Sequence, residues 1–128
     1  MTPEVTELLA RRREALAEGA PVTSARLAAD ASLSRDADRV FSSSDFVARV
    51  LTRDDAVLPA LLAEGGLSRP RTLDDYRSLI AAIVPAEPDA AGEAQLMREL
   101  RRLRQRELVR IAWRDLAGHA SVDETLRE

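Results

Sequence analysis

Residues 96–116 read LMRELRRLRQRELVRIAWRDL, and this stretch decides the fold. Leu96, Met97, Leu100, Leu103, Leu108, Ile111 and Ala112 recur at helical spacing and span one broad arc of a wheel turning 100° per residue. Arg104 falls in the middle of that arc. Arg102, Arg106, Arg110 and Arg114 stand four apart and lie almost above one another on one strip. Like charges so spaced repel, so the strip needs either acidic groups against it or full solvation. The pattern predicts one long helix over about 93–117, with Gly118 at its C-terminal cap.

Working outward, the chain has 128 residues, the size of one domain with a single modest core. It is 45% apolar and 32% charged but only 3% aromatic, and alanine and leucine supply most of the apolar mass. That balance suits closely packed helices and not a sheet, which favours β-branched and aromatic residues. All nineteen basic residues are arginine. Arginine suits bidentate pairing with carboxylate or phosphate, but a genome rich in G and C gives the same bias, and the composition is read that way. Net charge is −3, while seven arginines and two glutamates give the 98–114 window +5 and leave −8 elsewhere. A basic helix inside an acidic chain can find its partners within the molecule. Cysteine is absent, so thiolate metal sites and disulfides are excluded. The first residues do not read as a secretory signal, and the longest strongly apolar run, 79–84, is too short to span a bilayer. A cytoplasmic protein without membrane contact is the expectation.

Upstream, Thr2-Pro3 reads as an N-cap with proline at the first helical position, and Gly19 as a stop. A weaker helical piece covers about 24–31. Ser42 with Asp45 resembles a capping box leading into Phe46, Val47, Val50 and Leu51. Asp54 or Asp55 is a candidate cap for a short helix bearing Leu58, Leu61 and Leu62, which tolerates Pro59 only in its first turn and ends at Gly65-Gly66. Thr72 with Asp75 opens a helix carrying Leu73, Tyr76, Leu79, Ile80, Ile83 and Val84, closed by Pro85. Residues 85–92 read as a loop. Ser121 to Glu124 forms a further capping box only four residues before Glu128. A start signal without a body leads us to expect that the natural polypeptide continues. The fold expected is all-α: a bundle of about five to six helices in one segment, 1–128. Its parts are loosely defined leading helices (1–41), short helices (42–84), one long Arg-rich helix (93–117) and the start of a truncated helix (121–128).

The candidate contact residues are Arg102, Arg104, Arg106, Arg110, Trp113 and Arg114. Arg104 is either part of a binding site or domain contact, or an arginine held by an internal ion pair or by packing of its stem; the second is preferred. The Arg102–Arg114 ladder could release phosphate counterions, but the acidic chain offers no interleaved aromatics, so a solvated or internally paired face is expected and nucleic acid is not. Trp113 lies off the apolar arc and reads as ordinary core, with packing on a second neighbour as the alternative. His119 is isolated in a turn, which argues against zinc. Asp54-Asp55 and Asp74-Asp75 sit at helix starts, where they serve caps and the helix dipole. No phosphate-binding glycine loop or nucleophile elbow occurs, so the residues themselves define no catalytic, cofactor or metal site.

LMRELRRLRQRELVRIAWRDLAG followed by SVDETLRE resembles the N-terminal helical region of glutamine synthetase adenylyltransferases. Leu96, Met97, Arg98, Leu100, Arg101, Arg104, Arg106, Arg110, Ile111, Ala112 and Trp113 fit the family's helix, and Ser44-Asp45-Phe46-Val47 its opening of an earlier one. The resemblance is good from about residue 42 onward and loose before it. It implies a bifunctional enzyme that transfers AMP from ATP to a tyrosine of glutamine synthetase and removes it by phosphorolysis, under a PII signal protein and glutamine. Magnesium and ATP are then expected of the full-length protein, in a nucleotidyltransferase domain whose signature does not occur here. The chain alone is expected to be non-catalytic. The alternative is a free-standing helical adaptor that binds an acidic partner through the Arg-rich helix.

Overall fold

Thr2 accepts a hydrogen bond from the Val5 amide at 3.3 Å, and Pro3 fixes the first turn of α1, Pro3–Gly19. The structure, a computed structural model, describes residues 2–84 and 89–119. Six more helices follow among them: α2 (Pro21–Ala29), α3 (Ala31–Ser43), α4 (Asp45–Arg53), α5 (Val57–Ala63), α6 (Leu73–Ile83) and α7 (Ala90–Leu116). The all-α expectation holds, with seven helices where five to six were expected.

The extra helix comes from the leading region. The piece expected over 24–31 is α2, which begins at Pro21 and stops at Ala29, because Asp30 leaves the helix to cap α3 and accepts from the Leu33 amide at 3.1 Å. α3 then runs through residues 42 and 43, which displaces the capping box expected at Ser42. Ser44 is the N-cap of α4, accepting from the Val47 amide at 3.1 Å. Pro59 is the third residue of α5, inside its first turn as required. Thr72 and Asp75 form the expected reciprocal box at the start of α6. Pro85 and the capping box at 121–124 lie outside the described residues. α7 starts at Ala90, earlier than expected, because Asp89 caps it by accepting from the Gly92 amide at 2.7 Å. It ends in a left-handed Gly118 (φ +83°), with the His119 amide donating back to the Arg114 carbonyl at 2.8 Å.

α1 lies across α2, α3 and α4, while α7 runs under α3, α4 and α5. Leu16, Leu27, Val40, Phe41, Val47, Leu51, Leu58, Leu61, Val109 and Trp113 are all buried between these layers. Phe41 and Trp113 meet edge to face, with centroids 6.2 Å apart and planes at 88°, worth about 0.5–1.5 kcal/mol beyond the area they bury. The α1 arginines tie the layers together. Arg13 donates to Ser34 and Asp38 and lies over the Phe41 ring, and Arg12 donates to the Phe41 carbonyl. One helix end is capped from a distance. Asp55, one of the two candidate caps for α5, instead accepts from the Val22 and Thr23 amides at 3.0 and 2.7 Å and so caps α2. Asp54 accepts from the Ala56 amide.

α6 stands apart from this arrangement. It packs chiefly on α7 and buries none of its residues; Leu73, Ile80 and, just past its end, Val84 are exposed.

Candidate functional site

The arginine ladder of α7 is divided by its surroundings. Arg102, at the amino-terminal end, is exposed and pairs with Glu99 at 3.3 Å. Arg106 is half-buried; its Nε is shut off from solvent and has no acceptor among the described residues. Arg110 is fully buried and Arg114 nearly so. One strip therefore runs from water into the core, and both conditions set by its charge are met, each along half its length.

Burying Arg110 requires partners, since an unpaired interior cation costs several kcal/mol. Glu107, one turn before it, accepts from Arg110 Nε at 3.2 Å and from Arg71 Nε at 2.8 Å. Arg71 also donates to Glu64 at 2.6 Å. Arg110 reaches the Arg69 carbonyl and the Tyr76 hydroxyl, both at 3.4 Å. Arg114 donates to the Leu67 carbonyl at 3.1 Å and the His119 carbonyl at 3.3 Å. Burial by itself would lower the pKa of the Arg71 guanidinium. The hydrogen bonds and charges of Glu107 and Glu64 overrule it and hold Arg71 above the ordinary arginine range. This network fastens the segment between α5 and α6 to α7. Gly66 belongs to it by absence of a side chain: a Cβ there would sit 3.4 Å from Arg110 Cδ and from Leu61. Glu107 could be read from sequence by its spacing to Arg110. Arg71 and Glu64 could not, because only the tertiary fold brings them near.

Trp113 is buried against Phe41, as core. His119 lies 2.8 Å from Asp36. Among the described residues no group of three or more His, Cys, Asp or Glu is placed to hold a metal ion. No helix among them is long and apolar enough to cross a membrane.

The buried face of α7 (Glu107, Val109, Arg110, Trp113, Arg114) is not its apolar arc. Trp113 points to the side of the helix opposite Arg104. Along the arc, Met97 is 51% and Leu108 44% exposed, while Leu96, Leu100, Leu103, Ile111 and Ala112 are half-buried. Arg104 is exposed in the middle of it and makes no ion pair among the described residues, so of the two preferred alternatives the internal ion pair is not found, and packing of its stem along the arc remains. The helix turns its arginine strip inward because the strip also carries Trp113, and burying the indole with Phe41 outweighs burying smaller aliphatics. Next to the arc, Phe46 of α4 with Leu108, Ile111, Ala112 and Asp115 borders a shallow, largely apolar hollow of about 340 Å³. Arg98 and Arg101, toward the amino-terminal end of the arc, are exposed.

Residues 34–128 match the family model described as glutamate-ammonia ligase adenylyltransferase. The chain is 48% identical over 88 residues to a bifunctional glutamine synthetase adenylyltransferase/adenylyl-removing enzyme of Thioalkalivibrio sulfidiphilus, covering 69% of this chain and 9% of that protein. The proteins of the same name from Pseudomonas aeruginosa and Shewanella loihica are 42% and 33% identical over 93 and 123 residues. Those matches cover 73% and 96% of this chain, and 9% and 12% of theirs. The chain thus spans about a tenth of the length of the curated relatives it matches. No solved structure matches it.

Proposed function

Because the chain belongs to the glutamate-ammonia ligase adenylyltransferase family, we propose that it is the N-terminal helical segment of such an enzyme, a scaffold that packs against and positions the first catalytic domain. The observation that carries this reading is the outward apolar arc of α7, with Met97 and Leu108 half exposed. A helix that leaves such a stripe uncovered is built to be covered by something else. The longer protein then transfers AMP from ATP to a tyrosine of glutamine synthetase and removes it by phosphorolysis, answering to a PII signal protein and glutamine. It works in the cytoplasm. The described residues do not fit a magnesium site, so magnesium and ATP are assigned to the nucleotidyltransferase domain outside this chain. In the longer protein the metal's service is to neutralise the transferring phosphoryl group.

The experiment supplies ATP, magnesium and glutamine synthetase either to the polypeptide that continues past Glu128 or to the 128-residue chain, and follows AMP on the target tyrosine. Transfer is expected from the first and not from the second. Turnover by the 128-residue chain overturns its role as scaffold.

A free-standing adaptor that binds an acidic partner is the second reading, favoured by the exposed Arg98, Arg101 and Arg104. Arg110 and Arg114 are already engaged inside the molecule, which leaves that adaptor only half a ladder. Reading the gene past residue 128 separates the two. A continuing frame with a nucleotidyltransferase signature supports the first, and a stop codon the second.

A further inference from the structure

We infer that the α7 arc centred on Arg104 is the seat of one amphipathic helix from the continuing polypeptide, and that this helix places a carboxylate against Arg104. The inference rests on the reading of the chain as a segment of a longer enzyme and names the surface that reading needs.

Shape comes first. Met97, Leu100, Leu108 and Ile111 surround Arg104 at helical spacing, and Phe46 extends the surface sideways across the shallow hollow. A stripe about four turns long and one side chain deep fits a second helix lying alongside, in the manner of ridges packed into grooves. Charge comes second. Arg104 has no acceptor among the described residues, and neither it nor its flanking Arg98 and Arg101 is paired within the bundle. A helix laid over the stripe would shut Arg104 away from water. An arginine desolvated without a carboxylate is costly, so the covering helix must carry Asp or Glu at that height. An acidic margin facing Arg98 and Arg101 would follow from the same rule.

The occupant is taken to be the chain's own continuation and not a second copy. The relatives are about ten times longer than the matched region, so they carry ample further chain to cover the stripe. A second copy laid antiparallel on the same arc about a two-fold axis through Arg104 would bring the two Arg104 side chains against each other, which repel.

The chain lacks cysteine, so single thiols can report on cover. Met97→Cys and Leu108→Cys sit on the stripe; Val22→Cys, on α2 and 55% exposed, is the reference. Alkylation at each position is followed by peptide mass mapping in the continuing polypeptide and in the 128-residue chain. In the continuing polypeptide Met97→Cys and Leu108→Cys should react about tenfold or more slowly relative to Val22→Cys; in the short chain all three should react at similar rates. Adding Arg104→Glu should return the Leu108→Cys rate toward the reference, and Arg104→Lys should preserve protection. Equal rates at all three positions in the continuing polypeptide overturn the inference. Protection that rises with protein concentration also overturns it, in favour of a second copy. AMP transfer by the same thiol-bearing polypeptides keeps the two claims apart. Transfer without protection refutes the seat and leaves the enzyme reading intact. Protection without transfer refutes the enzyme reading and leaves the seat.

Discussion

Glu107 is the carboxylate that two of the buried arginines share. It stands between Arg71 and Arg110, both almost wholly enclosed. Glu107→Gln removes the negative charge that Arg71 and Arg110 share. Urea unfolding of this variant should show a loss of about 3–5 kcal/mol. Arg102→Ala, on the same strip but in water, should change stability by no more than about 0.5 kcal/mol. A similar loss in both variants would mean that the two halves of the ladder are not different in kind. Trp113→Ala should also cost about 3–5 kcal/mol, because the indole fills the contact with Phe41 and no neighbour can expand to replace it. The spacing of Arg102, Arg106, Arg110 and Arg114 was plain in the sequence. Which of them are enclosed was not, since that depends on Arg71 and Glu64, far away along the chain.

Between elements, α1 crosses α4 closely at Gly19. A Cβ added at Gly19 would run into the carbonyl oxygen of Thr52. Gly19, readable as a helix stop, is thus also what lets the two backbones approach. Gly19→Ala should lower stability by about 1–3 kcal/mol, measured as a shift in the thermal midpoint, even though alanine is the better helix former. At the start of α6, hydrogen bonds from the backbone and hydroxyl of Thr72 hold Asp75 below the ordinary carboxylate pKa, against a small opposing effect of burial and with help from Arg69 and Arg71. A group depressed in the folded state stabilises above its unfolded pKa and loses that contribution as pH falls through the folded value. The amino-terminal turn of α6 should therefore keep full amide protection above about pH 4 and lose it on acidification. Asp75→Asn should flatten that dependence in hydrogen exchange. Capping boxes such as Thr72–Asp75 were legible because both partners lie within one turn. The cap on α2 was not, because Asp55 reaches it from the loop after α4.

At the scale of the molecule, the open question for stability is the apolar arc of α7. Met97→Glu and Leu108→Glu should change the stability of the 128-residue chain by no more than about 0.5 kcal/mol, since both side chains already meet water. In the continuing polypeptide the same substitutions should lower the unfolding midpoint, and scanning calorimetry of both proteins makes the comparison. What the sequence settled by itself was local: the helical class, the existence of a long α7 with its Gly118 end, and the four-residue arginine strip, together with the adenylyltransferase resemblance. These follow from periodicity and from partners three or four residues apart. The rotation of α7 within the bundle was decided only by the tertiary structure. Its wheel carries two candidate faces, one aliphatic and one holding Trp113 among arginines. The second turned inward because Phe41, Arg71 and Glu64 converge on it from separate helices and loops, a coincidence in space that no local spacing records.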